Sequence, residues 1–327
     1  IYYACTTAIA IAIGLAIANA FRGLFPVLTV SDLTYEAKEA PTIMETIVNI
    51  FPSNIIKPFA DASMLQVIVA SLFFGFAIIL VGKKAQPFAN FVESVNEVCM
   101  KIMEMIIALS PIGVFCLITP VVAENGPQIL GTLTIVLLAA YIGYILQAVL
   151  VYSTTVKAMG GVGIRDFFKG MGPAMMMAFS SASSVGTLPL NLECSEKLGA
   201  RKDIAAFTLP LGATINMGGT AIYQGVCSLF IASCFGVTLT MPQMLTIIFT
   251  ATLASVGTAG VPSAGMIMLA MVLQSVGLPV EGIALVAGVD RIFDMGRTTI
   301  NITGDAACAI IVSRMEDRRE ARKANKT

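Results

Sequence analysis

The chain has 327 residues, of which 57% are hydrophobic and only 12% are charged. Ordinary soluble domains carry about 25% charged residues, so this composition indicates a polytopic protein of the lipid bilayer. The 20 basic and 20 acidic residues balance to a formal net charge of zero, which excludes a bulk electrostatic case for nucleic acid as a partner. Histidine is absent, and with it the most common general base and zinc ligand.

Apolar runs of membrane-spanning length recur along the chain. The opening run lacks a Met and a basic region, so we interpret it as a membrane helix and not as a signal peptide, with a segment before it missing from this sequence. A helix needs about 20 residues to cross the hydrocarbon. The sequence therefore predicts six spanning helices, at 1–21, about 60–82, about 96–122, about 128–156, about 204–233 and about 283–313.

Two further apolar segments, 170–192 and 241–275, are interrupted by Gly, Ser and Pro residues. Each has a small-residue centre between two apolar arms that are too short to span the bilayer. Non-helical backbone at membrane depth is tolerated only where it is buried in protein or lines a cavity. We therefore expect two re-entrant helical hairpins, hairpin one at 170–192 and hairpin two at 241–275.

The charges between these segments predict the orientation of the chain. Basic residues cluster in the connections 83–101, 157–169 and 197–202 and in the tail 314–327, which the positive-inside rule places in the cytoplasm. The charged residues of the connection 31–45 are mostly acidic, so this connection is expected on the outer side of the membrane. This alternation holds if the two hairpins enter from opposite sides. Such an inverted repeat brackets a midplane site in secondary transporters.

The last predicted helix carries an unusual row of polar residues. They are spaced 4, 3, 4 and 4 apart and so share one helical face: Asp290, Asp294, Arg297, Asn301 and Asp305, called the polar stripe below. A charge near the bilayer centre costs roughly 2.5–3.5 kcal/mol. One interpretation is that Asp294 and Arg297 simply neutralise each other at i, i+3. The stripe as a whole instead favours binding of a carboxylate, an ammonium and a small cation.

A second polar interruption, Asn-Met-Gly-Gly-Thr at 216–220, lies within the predicted helix 204–233. Each glycine costs about 1 kcal/mol relative to alanine inside a helix, so we expect the helix to break there. Unwound carbonyls of this kind coordinate Na⁺ in discontinuous membrane helices. The alternative is a glycine-rich face for helix packing, but the polar side chains Thr214, Asn216 and Thr220 favour the first interpretation.

Four long motifs resemble the glutamate transporter homologues of the dicarboxylate/amino acid:cation symporter family. They are SSVGTLPL at 183–190, FTLPLGATINMGGTAIYQGV at 207–226, ASVGTAGVPSAGMIMLAMVLQSVGLP at 254–279 and DMGRTTINITGD at 294–305. The resemblance implies an all-α membrane fold of eight helices and two hairpins, a homotrimer, and a transport domain that moves like an elevator.

The same resemblance divides the chain into parts. Segment 1–21 is similar to the family's third membrane helix, so the first two are absent from this sequence. Residues 42–122 correspond to scaffold and trimerisation helices, and 1–21 and 128–313 to the transport domain. The latter range holds the helix 128–156, hairpin one, the broken helix 204–233, hairpin two and the helix 283–313. Residues 314–327 form the cytoplasmic tail.

The resemblance also assigns ligands. The substrate residues it implies are Ser183, Ser184, Thr220, Val261, Gly265, Asp294, Arg297, Thr298 and Asn301, with Arg297 for a side-chain carboxylate and Asp294 for an α-amino group. The Na⁺ ligands it implies are Gly212, Asn216, Asn301 and Asp305 at one site and Thr214, Met217, Ser255, Val256 and Thr258 near hairpin two. A third, weakened site would use Tyr3, Thr6, Thr7 and Asn216.

This chain departs from the family pattern at four positions. The family's usual NMDGT is NMGGT here, so Gly218 replaces the carboxylate of the third cation site. The family carries an arginine in the first hairpin tip or beside the amine-binding aspartate, where this chain has Ala182 and Met295. Arg291 adds a charge near Asp294 instead. We therefore expect weaker coupling to Na⁺.

The function implied is a secondary symporter for aspartate or glutamate, driven by Na⁺ or H⁺, in the plasma membrane (in bacteria, the cell inner membrane). A carrier of C4-dicarboxylates or neutral amino acids is the alternative within the family. Three classes outside the family are the further alternatives. An intramembrane aspartyl protease would need two aspartates on facing helices, and an intramembrane serine protease would need a base near hairpin one. A channel would conduct without saturation. We expect no enzyme activity.

Overall fold

The computed structural model describes residues 1–26, 51, 54–60, 64–109, 112, 115–116, 119, 123, 128–255 and 264–324. These residues form helices and connecting turns and contain no strand. The principal helices are α1 (Tyr2–Phe21), α2 (Met64–Val81), α3 (Gln86–Ala108), α4 (Gln128–Leu146), α5 (Ile164–Ser181), α6 (Ser184–Lys197), α7 (Lys202–Ile215), α8 (Gly218–Cys234), α9 (Met241–Ser255), α10 (Ala264–Ser275) and α11 (Asp290–Ala324). The expected all-α membrane fold is confirmed.

Four helical segments of the described chain are long and apolar enough to cross a membrane: Tyr2–Leu24, Val69–Cys99, Gly131–Gly160 and Lys202–Cys234. The predicted span 96–122 lies partly outside the described residues, so it stays a prediction; its described part belongs to α3, which starts at Gln86. The predicted span 283–313 is missing from this set. The polar stripe itself makes α11 too polar to qualify by composition.

Each segment expected to form a hairpin contains a pair of short helices in the structure, and the names hairpin one and hairpin two are kept for these pairs. Hairpin one consists of α5 and α6, which extend beyond the predicted 170–192 at both ends. Its tip is Ala182, whose φ of 52° and ψ of 35° lie in the left-handed region, and Ser183, whose side chain accepts a hydrogen bond from Gly186 N and so caps α6. Hairpin two consists of α9 and α10, and its connection 256–263 lies outside the described residues.

Helix α8 is the centre of the fold. Of the 18-residue apolar stretch within Lys202–Cys234, a segment that ends with α8, 94% is buried, and α8 packs against α1, α4, α10 and α11. Small residues permit the closest of these contacts, as is usual between membrane helices. A Cβ added at Gly14 of α1 would lie 2.7 Å from Ile222 O of α8, and one at Gly225 would lie 3.1 Å from Ile11 O. The two backbones therefore touch.

Helix α4 continues past Leu146 through two π-helical segments, Gln147–Tyr152 and Val156–Gly160. Because a π-helix bonds residue i to i+5, Gln147 and Tyr152 share a face. Both side chains are fully buried. This wider helical segment turns two polar side chains toward the core of an otherwise apolar membrane helix.

Helices α2 and α3 differ from this core in exposure. Of the 18-residue apolar stretch within Val69–Cys99, only 11% is buried. Large apolar side chains are exposed along both helices, among them Phe73, Phe76, Leu80, Phe91 and Met105. Such a surface is compatible with lipid or with another subunit and not with water.

Helix α11 continues without a break from the polar stripe into the predicted tail. Arg201, which precedes α7, joins the two regions: its backbone N–H donates to Ser313 Oγ, and its guanidinium donates to Glu320 at 2.8 Å. Hydrogen bonds with Glu320 and Asp203 raise the pKa of Arg201 above its ordinary value. Arg201 therefore attaches the tail to the helical core.

Candidate functional site

The polar stripe of α11 faces the break between α7 and α8. Helix α7 ends at Ile215 because Asn216 has an extended backbone (φ −93°, ψ 91°), and α8 starts at Gly218. The predicted break is confirmed, but it is shorter than expected, because Gly218, Gly219 and Thr220 form the first turn of α8. A Cβ at Gly219 would lie 2.6 Å from Arg297 Cα, so the glycine allows α8 to touch α11.

All five stripe residues are buried, with relative exposures between 1% and 3%. The first three form a charge network, called the arginine end below. Arg297 Nε donates to Asp294 Oδ1 at 2.8 Å, and its two terminal nitrogens donate to the two oxygens of Asp290 at 2.9 and 3.3 Å. Three of the five N–H groups of the guanidinium are thus engaged within α11. The arginine is neutralised and oriented before any ligand arrives.

Two further elements contact this guanidinium. The ring of Tyr223 on α8 lies under Arg297, with Cζ 4.8 Å from the ring centroid, a cation–π geometry. A Cβ at Gly265 of α10 would lie 2.5 Å from Arg297 Nη1. Hairpin two therefore approaches the arginine with bare backbone, and position 265 admits no larger residue without moving Arg297. Thr298, at the edge of the stripe, lies 3.5 Å from Asp294 Oδ1 through its hydroxyl.

Asn301 connects the middle of the stripe to the break. Its side-chain oxygen accepts from Gly219 N at 2.7 Å, and its amide nitrogen lies 3.3 Å from Thr220 Oγ1 and 3.2 Å from Met217 Sδ. The structure thus brings together Met217, Thr220 and Asn301, which the family resemblance assigned in part to the substrate and in part to Na⁺. Each has a buried side chain.

The C-terminal part of the stripe, around Asp305, is called the Asp305 end below. Asn216 Nδ2 donates to Asp305 Oδ1 at 2.8 Å and to the carbonyl of Asn301 at 3.0 Å. A Cβ at Gly212 would meet the Asp305 carboxylate and the Tyr3 hydroxyl, so the backbone of Gly212 lies against both. No basic side chain pairs with Asp305 within the described residues. A buried carboxylate without a basic partner offers the kind of oxygen ligand that suits a hard cation such as Na⁺.

Several buried oxygens near the Asp305 end have no hydrogen-bond partner among the described residues. They are Thr7 Oγ1, Gln147 Oε1, Tyr152 OH and Asn216 Oδ1. Gln147 Nε2 donates to the carbonyl of Thr6 at 3.1 Å. A Cβ at Gly218 would lie 2.8 Å from Tyr152 OH, so the tyrosine stands where a longer side chain at 218 would extend. Buried polar groups without partners are uncommon, and these belong to a neutral polar pocket.

The remaining predicted residues are placed as follows. At the hairpin-one tip, Ser184 is buried and Ser183 caps its own helix. Among the expected cation ligands, Tyr3 donates to Thr208 O, Thr6 donates within α1, Thr214 is exposed and donates to Leu211 O, and Ser255 is buried at the end of α9. Val256, Thr258 and Val261 lie outside the described residues.

Sequence reasoning missed four residues of this site. Asp290 was placed in the stripe but given no ligand role, although i, i+7 spacing puts it on the same face as Arg297. Tyr223 lies one turn after Thr220 on α8. Gln147 and Tyr152 were visible only as polar residues inside the apolar run 128–156. Their position opposite Gly218 depends on the packing of α4 against α8, which no local pattern reports.

The charges of the site favour positively charged ligands. Three buried carboxylates stand against one buried guanidinium, which leaves a formal excess of two negative charges. Burying unpaired charge is costly, so cations lower the energy of the site. A helical membrane protein with paired short helices, a discontinuous helix and a buried charged site between them has the organisation of a secondary transporter.

Comparison with known proteins agrees with that class. A profile of the sodium:dicarboxylate symporter family matches residues 1–315. The chain belongs to this family, and it is therefore a cation-coupled symporter of the membrane.

Named relatives extend across most of the chain. It is 31% identical over 325 residues to a proton/sodium-glutamate symport protein of Bacillus subtilis (strain 168), covering 97% of this chain and 76% of the relative. It is 31% identical to the proton/glutamate-aspartate symporter of Escherichia coli (strain K12), covering 99% and 77%. Excitatory amino acid transporter 2 of Homo sapiens is 39% identical over 242 residues, which cover 73% of this chain and 42% of the relative.

Proposed function

We propose that this symporter carries acidic amino acids, aspartate or glutamate, and that the polar stripe of α11 is its substrate site. The observation that carries the proposal is Arg297, a buried arginine on a membrane helix with Asp294 hydrogen-bonded to it at 2.8 Å. Guanidinium recognises carboxylate through paired hydrogen bonds. The names of the bacterial relatives support the same substrate class.

Each substrate group has a matching partner in this arrangement. The side-chain carboxylate would bind the N–H groups of Arg297 that the aspartates leave available, and the α-ammonium would bind Asp294. Thr298, Asn301 and Thr220 would complete the site with hydroxyl and amide groups, and Ser183, Ser184, Val261 and Gly265 would contribute from the two hairpins. A C4-dicarboxylate lacks the ammonium and would meet Asp294 as a repelling charge, which disfavours it.

Cations would bind at the Asp305 end. An acidic amino acid adds a further net negative charge to a site that already has an excess of two, so its entry requires compensating positive charge. Gly212, Asn216, Asn301 and Asp305 would hold one Na⁺. Thr214, Met217, Ser255, Val256 and Thr258 would form the second site, and protons are the alternative coupling ion.

Coupling at the third position is weakened in this chain. With Gly218 in place of a carboxylate, Tyr3, Thr6, Thr7 and Asn216 offer only neutral oxygens, to which the unpartnered oxygens of Gln147 and Tyr152 are added. Neutral oxygens offset the desolvation of a cation less than a carboxylate does. A Na⁺ ion would therefore bind here only at raised concentration, and the protein would couple to fewer ions than its relatives.

Transport would follow an elevator-type alternating access. Helices α1 and α4–α11 would form the moving transport domain, and the exposed helices α2 and α3 the scaffold of a homotrimer. The apolar 18-residue stretch within Lys202–Cys234 is 94% buried and that within Val69–Cys99 only 11% buried, and this contrast supports the division. The charge pattern supports a cytoplasmic tail, with hairpin one on the inner side and hairpin two as the outer lid.

The proposal is tested by uptake of radiolabelled aspartate into proteoliposomes that contain the purified protein. A Na⁺ gradient, a pH gradient or neither is imposed, and unlabelled glutamate, succinate and serine serve as competitors. We expect saturable uptake that needs a cation gradient and is inhibited by glutamate but not by succinate. Inhibition by succinate with no effect of glutamate would show a dicarboxylate carrier, and non-saturating flux without a gradient would show a channel.

A further inference from the structure

Arg291, on the first turn of α11, contacts the tip of hairpin one. Its Nη2 lies 3.3 Å from the carbonyl oxygen of Ser181 and 3.4 Å from that of Ser180. These carbonyls are the last two of α5, immediately before Ala182 reverses the chain in the left-handed conformation. Within the described residues, Arg291 forms no ion pair with a carboxylate.

The carbonyls at the end of a helix have no intrahelical partner and carry the negative end of its dipole. A guanidinium at this point satisfies two of them and complements the dipole. Arg291 thus caps α5 from a helix that is more than a hundred residues away in the sequence. On the other side of the tip, Ser183 caps α6 locally, so both ends of the reversal have a hydrogen-bonding side chain.

The backbone that carries Arg291 is held by other contacts. Tyr141 of α4 donates to the carbonyl of Ile292 at 2.8 Å. The adjacent Asp290 points the other way and holds the guanidinium of Arg297. Two consecutive residues of one helical turn therefore attach to the hairpin tip and to the arginine of the substrate site. This helical turn therefore links the movement of the hairpin-one tip to the position of Arg297.

We propose that Arg291 is a positioning residue that holds the tip of hairpin one against the start of α11 and keeps this side of the substrate site closed. The inference rests on the proposed function, because it takes the stripe as the substrate site. Loss of the contact frees the tip to move away from α11. Substrate then dissociates faster through the hairpin-one side.

The test compares Arg291→Gln, which removes the charge, with Arg291→Lys, which keeps it and loses the fork of donors. Arg22→Gln is the matched control, since Arg22 is also exposed and donates to a side chain, Thr238 Oγ1, outside hairpin one. Amide hydrogen exchange is measured by mass spectrometry on the full chain in lipid nanodiscs. The aspartate dissociation rate is measured on the same samples.

A partly exposed cation at a helix C-terminus contributes modestly, so we expect a roughly two- to fivefold rise in exchange at 182–187 and in the aspartate dissociation rate for Arg291→Gln. Arg291→Lys should lie between that variant and the unchanged protein, and Arg22→Gln should leave the tip unchanged. Unchanged amide hydrogen exchange at 182–187 in a folded Arg291→Gln variant would show that Arg291 does not hold the tip. Faster exchange with an unchanged dissociation rate would reduce Arg291 to a helix cap and overturn its positioning role. If aspartate does not bind the unaltered protein, the proposed function fails separately, while the exchange data still decide the contact.

Discussion

The two ends of the polar stripe lie on the same helix and are equally buried, yet their charges are handled differently. At the arginine end, Asp290 and Asp294 both bond to Arg297, whose guanidinium also lies over Tyr223. At the Asp305 end, the carboxylate accepts one hydrogen bond from a neutral amide, and several buried oxygens nearby, among them Asn216 Oδ1 and Gln147 Oε1, lack partners among the described residues. One end contains its own counter-ion, whereas the other has none within the described chain.

This difference assigns different tasks to the two ends. In the proposed site, a substrate carboxylate at the arginine end would share the guanidinium of Arg297 with Asp290 and Asp294, so it would have to compete with two resident carboxylates. At the Asp305 end a buried carboxylate without a cation is costly, and an added Na⁺ removes that cost. Under the proposed function, an added cation would stabilise both the substrate carboxylate and Asp305, and this would couple their binding.

The largest effect is expected from removing the shared cation. Arg297→Cys removes the guanidinium that neutralises the buried Asp290 and Asp294, and with it the group proposed to bind the substrate. Truncating one member of a buried charge pair costs about 2–5 kcal/mol, so aspartate binding should weaken by roughly two orders of magnitude or more. Equilibrium binding of labelled aspartate measures the loss. Serine and alanine uptake is measured in parallel, since a neutral pocket should admit small neutral amino acids. Unchanged aspartate affinity would remove Arg297 from the site.

The next variant tests the Asp305 end directly. Asp305→Asn keeps the shape and removes the charge, and a hydrogen bond or contact to a charged group is worth about 1.5–3 kcal/mol. The Na⁺ concentration that gives half-maximal aspartate binding should rise about 10- to 100-fold. Titrating Na⁺ at fixed aspartate concentration provides the measurement.

Asp290→Asn is the matched control for Asp305→Asn, because both carboxylates are buried on α11. Asp290 is already neutralised by Arg297, so its loss should lower the thermal unfolding temperature while the Na⁺ titration midpoint stays near that of the unaltered protein. Equal shifts of the midpoint in both variants would show that the two ends are not distinct.

A smaller change tests how closely hairpin two fits the arginine end. A Cβ at position 265 would lie 2.5 Å from Arg297 Nη1, and overpacking of this kind costs about 1–3 kcal/mol. Gly265→Ala should therefore weaken aspartate binding about tenfold. Gly131→Ala is the control, since its Cβ would meet nothing within 4 Å. If both variants bind aspartate equally well, the approach of hairpin two does not shape the site.

Much of the site followed from local spacing in the sequence. The stripe was predictable because helical periodicity alone places residues 290, 294, 297, 301 and 305 on one face. The break at Asn216 and the division of 170–192 into two short helices were predictable because glycine, serine and proline interrupt apolar runs. The charge density of α11 also explains why composition alone does not identify it as a spanning helix, although its periodicity was clear.

What the sequence left open depends on contacts between distant segments. Asp290 shares a face with Arg297, but the hydrogen bonds of Arg297 to both Asp290 and Asp294 depend on side-chain geometry. The position of Tyr152 opposite Gly218 depends on the π-helical segment of α4 and on its packing against α8. The contact of Arg291 with hairpin one required the fold of both segments. None of these has a local sequence signal.

The finest test of the comparison is at Gly218, where an added carboxylate would make the neutral pocket resemble the Asp305 end. A carboxylate at position 218 should hold a further Na⁺, so the dependence of aspartate affinity on Na⁺ concentration should become steeper. The structure adds a steric condition, because the Cβ alone would lie 2.8 Å from Tyr152 OH. Gly218→Asp by itself therefore confounds a new ligand with a displaced tyrosine.

The pair of variants that separates these effects is Gly218→Asp with Tyr152→Phe, which removes the hydroxyl, and Tyr152→Phe alone as the control. We expect the double variant to show the steepest Na⁺ dependence, Gly218→Asp a smaller increase, and Tyr152→Phe no increase over the unaltered protein. Measuring aspartate affinity over a series of Na⁺ concentrations gives the slopes. Identical slopes in all four proteins would mean that position 218 does not belong to a cation site, and that a single carboxylate, Asp305, accounts for the cation dependence of this region.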